Sequence, residues 1–225
     1  MLFQDRGEAG RMLAERLADL KGAGDLLVLG VPRGGVVVAY EVAKALDAPL
    51  DVYITRKIGA PHNEELAIGA VASDGTQVLD RDLIARLGVP ETYLLAETER
   101  QRQEIRRRLF VYRGAREGTD LRGRILLLVD DGVATGATVR VGLRALRQCE
   151  PGQLILAVPV GPADTIRLLA HDVDRLVCLH APEAFWAVGA FYVRFDQTQD
   201  EEVVRLLRER DNSLRQAAGG AELQD

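Results

Sequence analysis

Two adjacent carboxylates, Asp130 and Asp131, follow the apolar run Ile125–Val129 and precede a loop of small and hydroxyl-bearing residues. That loop, Gly132–Thr138, leads into a helical pattern. The start of a helix offers unpaired N–H groups and the positive end of the helix dipole, so it favours an anion such as a phosphate. The carboxylates would suit the two hydroxyls of a ribose and could help to hold Mg²⁺ through water. They could instead serve only as helix-cap and turn residues.

Two further loops carry cations at the ends of apolar runs. In the stretch GVPRGG, Arg33 supplies a fork of donors, and Gly34 and Gly35 allow the backbone to approach an anion closely. Arg56 and Lys57 stand side by side at the end of another run. A plain strand–helix turn and a solvated charge pair are the alternative interpretations of these two loops. Taken together, the three loops predict a ligand with phosphates at two ends and a diol between them.

The elements that must position these loops are short apolar runs that alternate with helical patterns. Runs that are apolar throughout are typical of strands buried on both faces, and the alternation predicts a mostly parallel sheet with helices on both sides. Ligands of such sheets bind beyond the carboxyl ends of the strands, so the three loops are expected to meet there. The predicted strands are 26–31, 50–55, 125–129, 154–158 and 175–179; the helices are 5–21, 34–46, 80–112, 137–148 and one near 200–210; a hairpin joins 66–72 to 77–79.

Composition narrows the class of protein. The 225 residues suit a single domain, and the net charge of −5 argues against a general coating of nucleic acid. The two cysteines, Cys149 and Cys178, have no metal-ligand spacing and are expected in the core of a protein from a reducing compartment. No signal peptide or membrane span is expected, so the sequence predicts a cytoplasmic protein. The glycine-containing end, residues 215–225, is expected to be disordered.

The stretch VDDGVATGAT resembles the phosphoribosyl-diphosphate-binding motif of type I phosphoribosyltransferases: apolar residues, two acidic ones, three variable ones, then Thr-Gly-x-Thr. The order of GVPRGG, Arg56-Lys57 and this motif extends the resemblance over a core of about 24–180. Within the family, the chain is similar to a bacterial group of phosphoribosyltransferases whose acceptor is unassigned. The resemblance implies a Rossmann-like fold in one domain spanning 1–225. It also implies a flexible loop and a small hood, formed by about 181–198 with N-terminal elements.

The resemblance also implies a role for each motif residue. Asp130 and Asp131 would bind the ribose 2- and 3-hydroxyls of 5-phosphoribosyl 1-diphosphate and act in catalysis together with Lys57. Residues 58–66 would form a mobile flap that closes over the reaction. Mg²⁺ would be the cofactor, held through the donor and waters near the aspartates rather than by a direct protein site. The 5-phosphate would bind Ala134, Thr135, Gly136, Ala137 and Thr138; the pyrophosphate would bind Arg33, Gly34, Gly35, Arg56 and Lys57, in a loop that often contains a non-proline cis peptide.

The acceptor is implied only in outline. The residue before the Thr-Gly of the motif is Ala134, as in adenine-type enzymes, and the stretch Leu156–Pro162 lacks the lysine that reads a 6-oxo purine. Phe185 or Trp186 could stack on an acceptor base, although both could equally be packed inside the hood. The expected reaction is therefore transfer of the phosphoribosyl group to a nitrogenous acceptor such as a nucleobase, with release of pyrophosphate, by a homodimer.

A regulator that senses the donor and binds RNA or DNA is the alternative function. It depends on residues 100–116, which hold seven arginines. The competing interpretation is a solvated or subunit-contact helix, because Glu97, Glu99, Glu104 and Glu117 lie within helical reach of most of these arginines. Arginines paired with Glu99 and Glu104 would contradict the regulator. The three histidines are scattered and predict no zinc site.

Overall fold

The computed structural model describes residues 1–114 and 118–221, and its centre is a parallel sheet of five strands. The strands of the chain are β1 (Leu26–Gly30), β2 (Leu50–Val52), β3 (Thr55–Ala60), β4 (Asn63–Ala72), β5 (Gln77–Leu79), β6 (Ile125–Val129), β7 (Gln153–Val160) and β8 (Arg175–His180). The helices are α1 (Arg6–Arg16), α2 (Gly34–Leu46), α3 (Arg81–Arg86), α4 (Glu91–Arg113), α5 (Ala137–Gln148), α6 (Ala163–Ala170) and α7 (Asp200–Ala221).

The spatial order of the central sheet is β2-β1-β6-β7-β8, with every neighbouring pair parallel. Successive residues of each strand face opposite sides. In β1, Leu26 and Val28 pack towards α1 and α2, whereas Leu27 and Leu29 pack towards α5. Both faces are thus covered by helices, which is why the strands are apolar throughout. The α/β class predicted from the alternating runs is confirmed.

A second, antiparallel sheet has the order β3-β4-β5. The predicted strand 50–55 is too long, since β2 ends at Val52 and the chain then enters β3, a strand that the sequence did not predict. The predicted hairpin between β4 and β5 is confirmed. The flap expected at 58–66 is the β3–β4 hairpin, and the idea that it lacks apolar anchoring is wrong for Ile58 and Ala60, which are buried.

The helix predicted over 80–112 is two helices. Gly88, with a left-handed φ of 59°, ends the turn after α3, and Pro90 then precedes the first residue of α4. A proline at this position begins a new helix because it cannot continue the preceding one.

At the end of the chain, α7 runs to Ala221, so the expectation of disorder from residue 215 is wrong for 215–221. Its sequence there contains good helix formers such as Arg215 and Gln216. Residues 222–225 lie outside the described part.

The N-terminal segment pairs with the segment before α7. Phe3 donates its N–H to the carbonyl of Phe191 at 2.8 Å and accepts from Val193 at 2.8 Å, next to a bridge between Phe3 and Tyr192. The rings of Phe3 and Tyr192 lie 5.4 Å apart, and both side chains are buried. This aromatic cluster forms the small hood beside the sheet.

The two cysteines depart from expectation. Cys149 and Cys178 are unpaired and half-buried rather than enclosed in the core. Within the described residues, the structure contains no helix with the length and apolar character needed to cross a bilayer.

The ion pair between Arg113 and Asp51 fastens the end of α4 to the edge strand β2. Its Nε–Oδ1 distance is 2.8 Å, and the side chains are only 12% and 3% exposed. Asp51→Ala leaves a buried guanidinium without its carboxylate, so we expect a loss of about 3–5 kcal/mol in the free energy of unfolding. Glu99→Ala removes an exposed partner of Arg106 and should cost at most about 1 kcal/mol. Urea unfolding measures both; equal losses would contradict the assigned role of Asp51.

Candidate active site

The carboxyl ends of β1 and β6 stop at the same level. Gly30 of β1 pairs with Val129 of β6 at the last position of the register. The loop leading to α2 and the acidic pair therefore start side by side, at the point where the chain order of the sheet reverses. The peptide bond between Pro32 and Arg33 is cis, and Arg33 is the half-buried residue that precedes α2.

Gly34 and Gly35 lie directly against the acidic pair. A Cβ on Gly34 would overlap Oδ2 of Asp131 and lie 2.7 Å from Nε of Arg6. A Cβ on Gly35 would lie 2.8 Å from both Cα and Oδ1 of Asp130. Atoms at such separations cannot coexist without displacement, so glycine at these two positions allows the loop to touch the aspartates.

The acidic pair has a defined set of partners. The N–H of Asp130 donates to the carbonyl of Ala157 at 3.4 Å, and the N–H of Asp131 donates to Oδ1 of Asp130 at 2.9 Å. Nε of Arg6 donates to Oδ2 of Asp131 at 2.7 Å. The hydroxyl of Tyr192 donates to the backbone carbonyl of Asp131 at 2.6 Å, which fixes the hood to the site.

The electrostatics of the pair are asymmetric. Burial raises the pKa of Asp130 well above its usual range, and the adjacent Asp131 carboxylate adds to this rise. Burial also raises the pKa of Asp131, but the guanidinium of Arg6 opposes that rise. The Asp131 carboxylate thus adds to the rise at Asp130, while Arg6, which donates directly to Asp131, opposes the rise at both carboxyl groups.

The loop after the acidic pair is held from both sides. The N–H of Val133 donates to the carbonyl of Val160 at 2.9 Å, and the hydroxyl of Thr165 donates to the carbonyl of Ala134 at 3.1 Å. Gly136 has a left-handed φ of 72°, and α5 begins at the next residue. The loop therefore presents the start of α5 towards solvent. Its exposed residues are Ala134, Thr135, Ala137 and Thr138.

Arg56 and Lys57 face the loop before α5 rather than the loop after β1. They line a cavity of about 610 Å³ together with Thr135, Ala137, Thr138, Glu97 and Arg100. Among the described residues, neither the acidic pair nor Arg33–Gly35 belongs to this lining. Arg56 is oriented by α4, because its Nε donates to Oε1 of Gln101 at 2.9 Å. The three sequence-predicted loops thus occupy one edge of the molecule, but the two cations lie on the side of α5.

The two candidate stacking residues differ. Phe185 stacks on Phe191 with a centroid distance of 5.3 Å and an interplanar angle of 21°, so it is part of the packed hood. Trp186 is 92% exposed and available to a ligand or partner.

The arginines of α4 are largely engaged. Arg106 pairs with Glu99, and Arg107 and Arg108 pair with Glu104. The hydrogen bonds from Arg107 and Arg108 lower the pKa of Glu104 to about 2. These pairs contradict a continuous basic surface for nucleic acid. Arg116 and Glu117 lie outside the described residues.

Arg6 and Tyr192 are site residues that sequence reasoning missed. Arg6 precedes Asp131 by 125 positions and Tyr192 follows it by 61. No spacing rule links such distant residues. Only the hood, which brings the N-terminal segment next to the segment before α7, makes them neighbours.

Gly34→Ala tests the close approach of the β1 loop. The new Cβ must displace the carboxylate of Asp131 or the guanidinium of Arg6, so we expect a loss of roughly 1–3 kcal/mol in the free energy of unfolding. Gly24→Ala is the matched control, because nothing lies within 4 Å of the added Cβ. Thermal or urea unfolding of both variants provides the comparison, and a Gly34→Ala protein as stable as the control would refute the crowding.

Asp130→Asn tests the electrostatic cost of the pair. A carboxyl group whose pKa is higher in the folded state binds its proton more tightly when folded, so stability falls as pH rises from about 4. Asparagine removes this loss. We expect Asp130→Asn to be more stable than the parent near neutral pH and the gain to shrink towards about pH 4. Urea unfolding without ligand at several pH values measures the gain, and a gain independent of pH would rule out this cause.

Comparison with known proteins agrees with the geometry. A model of the phosphoribosyl transferase domain matches residues 4–196. A "putative phosphoribosyl transferase" in two strains of Mycobacterium tuberculosis is 47% identical over 206 residues. That match covers 92% of this chain but 46% of the relative, so the chain spans about half the relative's length. The solved structure of TT1426 from Thermus thermophilus is 44% identical with a TM-score of 0.83, covering 93% of this chain and 99% of that one. The chain belongs to the phosphoribosyl transferase domain family.

Proposed function

We propose that the protein binds 5-phosphoribosyl 1-diphosphate with Mg²⁺ and transfers the phosphoribosyl group to a nitrogenous acceptor, with release of pyrophosphate. The acceptor that we propose is a nucleobase. The observation that carries this proposal is the direct contact between the glycine loop after β1 and the acidic pair after β6, which the exposed start of α5 follows along the chain. A diol site flanked by two anion sites fits a ribose that bears a phosphate at one end and a pyrophosphate at the other.

The donor would lie across the edge of the sheet. Asp130 and Asp131 would accept from the ribose hydroxyls. The start of α5 would hold the 5-phosphate through backbone N–H groups and the hydroxyls of Thr135 and Thr138. Arg33, Gly34 and Gly35 would receive the pyrophosphate. The cations of β3, Arg56 and Lys57, line the cavity beside the 5-phosphate loop and would contribute positive charge from that side.

The acidic pair fits Mg²⁺ as a partner shared with the substrate. Carboxylate oxygens are the ligands that Mg²⁺ prefers, and the ion commonly keeps waters and takes oxygens from substrate phosphates. The described residues contain no group of three or more His, Cys, Asp or Glu side chains that could enclose a metal ion. Asp130 and Asp131 would therefore hold it only in part, mainly through waters and the donor. When bound, it would offset the negative charge of the leaving pyrophosphate.

The chain's own residues would act mainly by positioning. Departure of pyrophosphate builds positive charge on the ribose, and a nitrogen nucleophile then attacks C1. This requires no covalent nucleophile on the protein, only aligned reactants, charge stabilisation and exclusion of water. Asp130 and Asp131 would fix the ribose, Arg33 would offset charge that develops on the leaving group, and Lys57 would add positive charge from the side of the 5-phosphate loop. Closure of the β3–β4 hairpin would exclude water.

For the acceptor, Trp186 is the better stacking candidate, because Phe185 already packs on Phe191 within the hood. Ala134 and the absence of lysine in Leu156–Pro162 favour a ring other than a 6-oxo purine. A homodimer in the cytoplasm is part of the proposal, and the exposed Leu95 and Phe110 of α4 offer apolar surface for self-association.

The direct test is a screen of nucleobases with the donor and Mg²⁺, in which released pyrophosphate is measured. Calorimetry with the donor and Mg²⁺ alone is run in parallel. We expect donor binding and release of pyrophosphate with at least one base. A protein that binds the donor but releases nothing with any acceptor would argue against transferase chemistry, and a protein that does not bind the donor would refute the proposal as a whole.

Lys57→Ala tests the contribution of the β3 cations. A charge that contacts a phosphate contributes more than an exposed surface charge, so we expect donor binding to weaken by more than about 1 kcal/mol, or roughly fivefold in Kd. Lys44→Ala is the matched control, since Lys44 is 58% exposed on α2 and pairs only with Glu41 in its own helix among the described ion pairs. Calorimetric affinities that fall equally for both variants, or for neither, would show that Lys57 makes no contact with the donor.

A further inference from the structure

Arg6 is the first residue of α1, and the fold fixes its place independently of the acidic pair. Asp5 caps the helix by accepting from the N–H of Glu8 at 3.0 Å. The helix then packs tightly on α2, where a Cβ on Gly10 would lie 2.7 Å from the carbonyl oxygen of Val38. The N-terminal turn of α1 is therefore set against the start of α2, the helix that follows the glycine loop.

Three separate groups hold the guanidinium of Arg6. Nε donates to Oδ2 of Asp131 at 2.7 Å, and Nη1 donates to the backbone carbonyl of Asp196 at 2.8 Å. Its Cζ lies 3.9 Å from the centre of the Phe195 ring, an arrangement typical of a cation–π contact. The side chain is only 12% exposed. Two of these three contacts come from the hood and do not involve the acidic pair.

We propose that Arg6 is a positioning residue of the donor site: it holds one oxygen of Asp131 so that the other is presented to a ribose hydroxyl. The inference rests on the proposed function and adds to it a residue from the N-terminal segment. Arg6 binds only Oδ2 in this arrangement. Its position over Gly34 also keeps the carboxylate pressed against the glycine loop, so the hood, the acidic pair and the loop form one unit.

The opposite role would be a block, in which Arg6 occupies the carboxylate and must leave before the donor binds. The contacts with Asp196 and Phe195 argue against it, because they keep the guanidinium in place whether or not Asp131 is engaged. The two roles predict opposite effects of removing the cation. Positioning predicts weaker donor binding, whereas a block predicts tighter binding.

The test is a double-mutant cycle on donor affinity with Arg6→Gln, Asp131→Asn and the double variant, measured by calorimetry with 5-phosphoribosyl 1-diphosphate and Mg²⁺. Since a lost charge-assisted hydrogen bond commonly costs a factor of ten, we expect Arg6→Gln to raise Kd by about tenfold or more. In the Asp131→Asn background, the same change should alter Kd by less than about threefold, because its partner is already gone. Arg11→Gln on the same helix is the control, since that side chain is 60% exposed and should leave Kd unchanged.

Each outcome of the cycle supports or contradicts the positioning role of Arg6. Tighter binding by Arg6→Gln would establish the block, and unchanged binding would remove Arg6 from the site. Equal losses in both backgrounds would show that Arg6 only docks the hood. If Arg6→Gln does not fold, Arg6→Lys replaces it in the same cycle; lysine keeps the charge but loses the planar fork, so a smaller coupling to Asp131 of the same sign is expected. A parent protein that does not bind the donor refutes the proposed function and this inference together, whereas a parent that binds alongside an uncoupled Arg6 refutes the inference alone.

Discussion

The loop after β1 touches the acidic pair after β6 with no space for a side chain between them, and the rest of the site is arranged around that contact. Two parallel strands that end at the same level bring the loops together, and glycine at positions 34 and 35 lets them meet. The start of α5 follows the same strand end after a short loop. The ends of the two parallel strands set this geometry, at the place where ligands of such sheets bind.

The arrangement carries an electrostatic cost. Asp130 and Asp131 lie together where water reaches them poorly, so burial disfavours the charge of both, and the Asp131 carboxylate adds to this at Asp130. Arg6 offsets part of this cost at Asp131 from the hood side. Functional residues commonly reduce the stability of a protein until a ligand neutralises their charge, because they are selected for binding rather than for stability. The hood thus covers the site and also contributes charge to it.

Local sequence patterns were sufficient for the parts of the fold that local forces decide. The run Ile125–Val129 is uniformly apolar because both faces of β6 are covered, and α2 begins at Gly34, where the pattern placed it. Gly88 and Pro90 indicate the break between α3 and α4, but the helical periodicity on either side led to the prediction of a single helix. Strand β3 was not predicted, since its adjacent cations suggested a loop. In the structure it pairs with β4 and packs against α4 and α5.

The partners of the site residues required three-dimensional information. Arg6 reaches Asp131 only because α1 packs on α2 through Gly10, and Arg56 turns to Gln101 only because α4 crosses β3.

The most direct test of the account is a crystal structure with 5-phosphoribosyl 1-diphosphate and Mg²⁺. The account predicts the ribose hydroxyls on Asp130 and Asp131, with the 5-phosphate at residues 134–138. A donor bound elsewhere, or bound with its ribose away from the acidic pair, would contradict it.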